Sequence, residues 1–464
     1  MNNDSLNVYN PFNGELIAEV PTQSQLQVDA TLTLGHQLSR NTQARLSLPE
    51  RIAILQKTAQ IMTSEAEALA LLATREGGKP LQDSQVEVAR AIDGIHLCIE
   101  GLRADAGQVV PMNLNAASNG RAAFTQKEPI GLVVAVSAFN HPLNLIVHQV
   151  APAVAVGCPV IVKPADDTPL SCLRFVEILH EAGLPSAWCQ AVVTPDLAIA
   201  ESLVTDERVA LFSFIGSARV GWMLRSKVAP GTRCLLEHGG AAPVMVYKDA
   251  NVSATVKALT KGAFYHAGQV CVSVQRIFAH RDIAAQLGRE LAAAAEKLTL
   301  GNPEDPSTQV GPLIREKEVE RVDQWVQEAV TLGAQVLCGA SKKGRYQYTP
   351  TVLTQVSEHC LLSRNEVFGP VAAIYEFDDE ANALTQANDL PFAFQAAVFT
   401  QDLNNIMAAF KGLDASAIMV NDHTAFRTDW MPFAGLKQSG LGVGGIGHTM
   451  HEMQTEKMLV LPTL

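Results

Sequence analysis

The chain has 464 residues, 47% of them hydrophobic and 18% charged, which excludes a disordered or highly solvated polypeptide. At about 150 residues per domain, this length predicts two or three domains with large buried cores. The formal charge is −12 and no Lys/Arg cluster appears, which excludes a generic nucleic-acid binder. Ser47-Leu48-Pro49-Glu50 is a capping-box pattern with Pro in the first turn. It opens a predicted helix in which Ile52, Leu55, Ala59 and Met62 keep helical spacing, ending near Gly77-Gly78. A second helix is predicted over Ser84 to Arg103, then a loop from Asn113 to Gly120. Ile130 to Val136 and Val160 to Val162 are short apolar runs that read as buried parallel strands. Leu143 to Val156 is the crossover helix between them, making a βαβ unit. Thr168-Pro169 starts another helix that stops at Gly183, and strands follow at Ala210 to Phe214 and Leu235-Leu236. A second α/β block has a helix from Ile283 to Leu298 and strands near Val371 to Phe377 and Ala396 to Phe399. The tail from Gly435 is Gly-rich, then helical, then extended. This alternation predicts an α/β fold.

Eight cysteines (Cys98, Cys158, Cys172, Cys189, Cys234, Cys271, Cys338 and Cys360) are scattered without a C-x-x-C pair. That pattern predicts reduced thiols in a reducing, cytoplasmic compartment and neither disulfides nor a metal site. No basic segment followed by an apolar one opens the sequence, so no signal peptide is expected. The apolar stretch from Ile130 to Val162 is broken by Asn140, His141, Pro142, His148 and Pro152, so no membrane span is expected there. No G-x-G-x-x-G follows an early strand, and composition alone assigns no cofactor.

Cys271 lies in the segment Gly262-Ala263-Phe264-Tyr265-His266-Ala267-Gly268-Gln269-Val270-Cys271. Alone, that context more often marks a buried, inert thiol. Other short motifs accompany it in order along the chain. They are Val8-Tyr9-Asn10-Pro11, Pro129-Ile130-Gly131, Asn140 before a Pro, Lys163-Pro164, Phe214-Ile215-Gly216-Ser217, and Glu237 before Gly239-Gly240. Asn365-Glu366-Val367-Phe368-Gly369-Pro370 and Pro432-Phe433-Ala434-Gly435 complete the set. Together they resemble the aldehyde dehydrogenase superfamily over nearly the whole chain.

The resemblance implies a Rossmann-like cofactor domain, an α/β catalytic domain and a small β oligomerisation arm. The expected boundaries are 1–105 with 128–239 for NAD(P) binding, 240–433 for catalysis, and 106–127 with 445–464 for the arm and tail. It implies Cys271 as nucleophile, Glu237 as general base, and Asn140 with the Cys271 N–H as oxyanion donors. Phe139, Lys163, Asp166, Gly216, Ser217, Glu366 and Phe368 match cofactor-contacting positions. A carboxylate at Asp166 favours NAD, with NADP possible. The sequence departs from the family at Phe139 (usually Trp), His238 (usually Leu), Ala241 (usually Lys), the Thr194-Pro195 loop and Ala434.

Phe426-Arg427-Thr428-Asp429-Trp430-Met431-Pro432-Phe433 resembles the branch that handles small polar or anionic aldehydes such as lactaldehyde and semialdehydes. An Arg fork suits a carboxylate, sulfonate or phosphonate. Arg427 and Arg90 are thus candidate substrate residues, with His423, Trp430 and Phe264 as further pocket candidates. The competing expectation is structural: Arg427 paired with Asp429 or Asp422, and Arg90 with Glu87 or Asp93. Rival functions are oxidation of aromatic or apolar aldehydes, a coenzyme A-acylating dehydrogenase, and a non-catalytic ligand-binding relative. Glu237 argues against the second, and the presence of both Cys271 and Glu237 against the third. A small-molecule aldehyde and a second copy in a homodimer or homotetramer are the expected partners, with no nucleic acid and no membrane.

Overall fold

The structure is a computed structural model that describes residues 5–462, so the outermost residues of the expected first segment and tail, 1–4 and 463–464, lie outside the described residues. Two twisted sheets dominate. The first has six strands in the order Gly440–Leu441, Arg233–Glu237, Leu211–Ile215, Val133–Val136, Val160–Lys163, Cys189–Ala191. All neighbours are parallel except the antiparallel edge pair Gly440–Leu441 with Arg233–Glu237. Val133–Val136 and Val160–Lys163 are β-branched runs buried on both faces, as helix-covered parallel strands require. From Val133–Val136 the strand order runs outward in both directions, a topological switch point. Ligands of such sheets bind in the crevice beyond the carboxyl ends of the strands there. The crevice here is flanked by Ser137–Asn140 on one side and Gly216-Ser217 on the other.

The crossover helix Asn144–Val156 is buried along its whole length, as an all-round apolar helix must be. It lies under Leu81–Ala104, with Leu48–Ser64 and Leu170–Glu181 on the same face of the sheet. The other face is covered by Gln25–Arg40, Leu197–Thr205 and Ala218–Arg225.

The second sheet has seven strands: Gln335–Cys338, Thr351–Thr354, Val371–Phe377, Val274–His280, Ala242–Val246, Gln395–Phe399, Ala417–Val420. It is parallel apart from the Gln335–Cys338 edge. The chain passes from the carboxyl end of Arg233–Glu237 through Gly239-Gly240 into the start of Ala242–Val246. The carboxyl edge of one sheet therefore meets the amino edge of the other, and the site lies along that junction.

A small three-stranded sheet joins Val109–Val110, Arg121–Pro129 and Gln454–Pro462, the last two paired antiparallel along their full length. Strands Val109–Val110 and Arg121–Pro129 fall on the segment read as an arm, and residues 446–452 form a helix whose Ile446 and Met450 are buried against Asn144–Val156. The capping box at Ser47 and Glu50 forms, but the predicted helix from Ser47 to Gly77 is two helices, Leu48–Ser64 and Ala66–Gly77. Thr63 and Ser64 hydroxyls donate to the carbonyls of Ala59 and Ile61, competing with the backbone ladder at the break. No described helix is long and apolar enough to cross a membrane.

Candidate active site

Cys271 sits on a strained loop. His266, Ala267 and Gly268 have φ of 48°, 53° and 70°, the left-handed region that non-glycine residues avoid. A Cβ at Gly268 would overlap the Gly369 carbonyl, so only glycine lets this loop press against the Phe368–Pro370 turn. The loop is held in place by Gln269: its side-chain amide donates to the Pro312 carbonyl at 3.2 Å and its oxygen accepts from Ile314 N–H at 3.0 Å. From the first sheet, Asn140 Nδ2 donates to the Gln269 carbonyl at 2.9 Å, which fixes the amide beside the cysteine loop. Thr424 Oγ1 donates to the Val272 carbonyl at 2.6 Å and binds the 421–433 loop to the same structure.

Cys271 is half-buried, in an apolar cluster with Val270, Val272, Phe394, Phe433 and Tyr265. Burial pushes its thiol up to about 12; the Arg427 guanidinium opposes this, and the Glu366 and Glu237 carboxylates add to it. Glu237 is buried at the end of its strand, and a Cβ at Gly444 would overlap its carboxylate. Gly444 arrives there because it pairs with Phe433 by two backbone hydrogen bonds of 2.8 and 3.0 Å. Burial also raises the Glu237 pKa, again opposed by Arg427. Glu366 lies over Gly239 with Oε1 buried and unpartnered, and burial pushes it up to about 8. Cys271 and Glu237 form one electrostatic unit with Arg427 as its cation, whereas the cation that opposes the rise of Glu366 is Arg321.

Arg427 carries its guanidinium 3.5 Å from the Phe433 ring centroid. Its Nη2 faces His148 Nδ1 at 3.4 Å, and its Nε is buried without a partner. Among the described residues no carboxylate lies within ion-pair distance of it, so the expected pairing with Asp429 or Asp422 does not occur. Asp429 instead takes Arg90, whose Nε and Nη2 donate to it at 3.0 and 2.7 Å. His148 Nε2 and Asn144 Nδ2 complete its shell at 2.7 and 3.3 Å. Burial works against ionisation of Asp429, yet His148 and Arg90 hold its carboxyl well below the usual carboxylate range. Arg90, expected to meet substrate or to pair with Glu87 or Asp93, is held by a residue 339 positions away.

Glu87 belongs to another buried pair. It contacts Lys79 Nζ and caps the crossover helix by accepting from Leu143 and Asn144 N–H, each at 2.9 Å. Lys79 Nζ also reaches His141 Nδ1 at 3.1 Å and the Asn140 carbonyl at 3.4 Å. Residues behind Asn140 are thus fully committed to holding it.

The remaining pocket candidates lie in different surroundings. Phe264 is 1% exposed in the core of the second sheet, and its neighbour Tyr265 instead packs against the Val270, Val272, Phe394 and Phe433 cluster that also borders Cys271. His423 lies over Gly262, and Trp430 is 61% exposed. The sequence reading missed His148, Asn144, Tyr265 and Asp429. A usable signal existed for two of them: Asn144 and His148 are polar residues at i, i+4 in a helix whose only other polar residue is Gln149.

The crevice at the switch point is built for a nucleotide. Ser217 precedes the helix Ala218–Arg225 without a side-chain cap, which leaves the first backbone N–H groups free for a phosphate. Lys163 Nζ donates to Asp166 Oδ1 at 2.8 Å beside that crevice, and the Asp166 side chain is 36% exposed. Phe139 and Phe368 meet edge to face at 5.8 Å, and Phe368 holds a φ of 46°. His238, where the family usually has Leu, donates Nδ1–H to the Gly216 carbonyl at 2.9 Å and lies on Gly221 between Phe214 and Trp222. With an orphaned Glu366 oxygen facing the same junction, the residues fit a nicotinamide dinucleotide.

The profile of the Aldehyde dehydrogenase family matches residues 1–459. The chain is 37% identical over 458 residues to a 3-sulfolactaldehyde dehydrogenase of Priestia aryabhattai, covering 99% of this chain and 95% of the relative. It superposes on aldehyde dehydrogenase 21 from Physcomitrella patens, in complex with the reaction product succinate, with a TM-score of 0.96 and 33% identity. That match covers 100% of this chain and 96% of the other. Glyceraldehyde-3-phosphate dehydrogenase GapN from Methanocaldococcus jannaschii, complexed with NADP, gives a TM-score of 0.93 at 32% identity with both chains fully covered (100% and 100%). The chain therefore belongs to the aldehyde dehydrogenase family and oxidises an aldehyde with NAD(P).

Proposed function

We propose that the substrate is a small aldehyde with a terminal anionic group, converted to the free carboxylic acid. Arg427 is the observation that carries this substrate class. A half-buried guanidinium with an unpartnered Nε and no carboxylate within ion-pair distance among the described residues is costly, so its closest anion is expected from the ligand. The names of the relatives support the same chemistry: one acts on a sulfonated aldehyde, one holds succinate, one is named for a phosphorylated aldehyde. Arg90, neutralised by Asp429, acts as support, and neither His423 nor Trp430 is given a substrate contact.

In this reading Cys271 Sγ attacks the aldehyde carbon. The thiol is held protonated, so its proton leaves as the bond forms, and Glu237 is the buried carboxylate positioned to take it. The Asn140 amide and the Cys271 N–H receive the developing oxyanion. NAD(P), when bound, supplies the hydride acceptor. Gly216 and Ser217 hold its pyrophosphate, Lys163 and Asp166 its adenosine ribose, and Phe139, Glu366 and Phe368 its nicotinamide half. Asp166 favours NAD by repelling a 2′-phosphate. After releasing the thiol's proton to solvent, Glu237 accepts a proton from water attacking the Cys271 thioester and returns it to the sulfur, so that Cys271 leaves as the thiol.

The arm exposes Phe124, Met458, Leu459, Val460 and Leu461, an apolar surface that supports a homodimer or homotetramer. Eight free cysteines support a reducing, cytoplasmic setting. An initial-rate screen of anionic, neutral aliphatic and aromatic aldehydes with both cofactors tests the proposal. The highest kcat/KM is expected for an anionic aldehyde with NAD, giving free acid without coenzyme A. A preference for aromatic aldehydes, or coenzyme A-dependent product that survives Glu237→Gln, would overturn it.

A further inference from the structure

Arg427 reaches the nucleophile from a loop that has no regular secondary structure, yet a specificity residue must hold its fork to within a few tenths of an ångström. Its only side-chain hydrogen-bond partner among the described residues is His148, on the wholly buried helix Asn144–Val156. His148 in turn has its Nε2 at 2.7 Å from Asp429 Oδ1. A carboxylate only accepts, so Nε2 must carry the hydrogen, and the neutral ring then has a bare lone pair on Nδ1. That lone pair faces Arg427 Nη2, a donor. Asp429 is itself oriented by the two-pronged contact from Arg90 and by Asn144. The groups around the ring are thus Arg427, Asp429, Arg90 and Asn144, and burial with Arg427 beside it holds His148 neutral, down to about 4.

We propose that His148 is a positioning residue for substrate specificity, the middle of a chain Arg90–Asp429–His148–Arg427. Asp429 sets the tautomer, and the tautomer presents an acceptor that aims the Arg427 fork at a substrate anion. The chain also explains why the Arg90 charge does not make a second anion site: it holds Asp429. A substrate with one terminal anion meets one available guanidinium, its flat face already occupied by Phe433 and one edge by His148. The inference rests on the anionic-aldehyde reading above and extends it to residues that touch neither the reacting atoms nor the substrate.

The test uses the full-length enzyme with an aldehyde ending in a carboxylate or sulfonate and a neutral aldehyde of equal length. Wild type is compared with Arg427→Ala, His148→Phe and His148→Gln. Phe keeps the aromatic volume and removes both nitrogen functions. Gln keeps a donor for Asp429 and an acceptor for Arg427, and it guards against loss of folding in the Phe variant. The expected result is a KM for the anionic aldehyde raised about tenfold in His148→Phe with kcat within about twofold. The neutral aldehyde is unchanged, and His148→Gln lies within about threefold of wild type. If Arg427→Ala loses the anionic aldehyde selectively while His148→Phe does not, the positioning role is overturned and the substrate reading stands. Equal KM increases for both aldehydes in His148→Phe also overturn it, as does a Gln variant no better than Phe. If Arg427→Ala itself shows no selectivity, the substrate reading falls, and the positioning role with it.

Discussion

The two sides of the active-site junction treat buried charge in opposite ways. Behind Asn140, Lys79 meets Glu87, Arg90 meets Asp429, and Glu87 also caps a helix, so every buried charge there has its partner in the chain. In front, the Glu366 oxygen and the Arg427 Nε have none, Glu237 lies on a bare glycine, and the Cys271 thiol is held protonated. Paired charges fix geometry, whereas unpaired ones store an interaction that a ligand completes. The same side-chain type serves both purposes: Arg90 and Arg427 approach one another across His148 and Asp429, and only the presence of a carboxylate separates their roles.

Breaking the front should abolish chemistry and leave the fold. Cys271→Ala is expected to lower acid formation at least about a thousandfold with an unchanged melting temperature. Breaking the back should do the reverse. Lys79→Met leaves Glu87 buried and unpaired, and about 3–5 kcal/mol of stability should be lost in denaturant titrations. A smaller loss of function is expected from Glu237→Gln, which should lower steady-state turnover by about 100-fold and slow the first turnover of NADH as well, since Glu237 takes the thiol proton before it serves the attacking water. With wild type, burial favours the neutral form of Glu237. As pH falls, turnover should therefore be lost at a higher pH than a carboxylate near its ordinary 4.5 would give. A thiol pushed up to about 12 should be alkylated by iodoacetamide with a rate that climbs about tenfold per pH unit, without a plateau, from about pH 7 to about pH 10. The mildest change is far from both regions. Ser47→Ala removes the capping box and should cost about 1 kcal/mol with kcat/KM unaffected.

The front of the site was the more legible half. A thiol, a carboxylate and an amide are demanded by the chemistry, and Cys271, Glu237 and Asn140 each stand inside short motifs that announce them. The parallel strands were visible for a related reason, since burial on both faces leaves uninterrupted apolar runs such as Val133–Val136. The back of the site was hidden because its information is not local. Arg90 and Asp429 are 339 residues apart, and nothing near Arg90 distinguishes that partner from Glu87 or Asp93. Phe264 and Tyr265 illustrate another limit: adjacent aromatics on one segment join different clusters, and only packing shows which one shares the cluster beside Cys271. The break at Glu65 was missed because the helical apolar spacing continues across it, while the interruption comes from the hydroxyls of Thr63 and Ser64.

The most direct test of the unpaired cation is a specificity ratio. For wild type and Arg427→Ala, kcat/KM is measured for an aldehyde ending in a carboxylate and for a neutral aldehyde of the same length. The ratio of the two is expected to fall about 100-fold in the variant, almost entirely through the anionic substrate. A ratio that stays constant while both values fall together would contradict the account, since Arg427 would then serve the nucleophile alone and the substrate would need no anion.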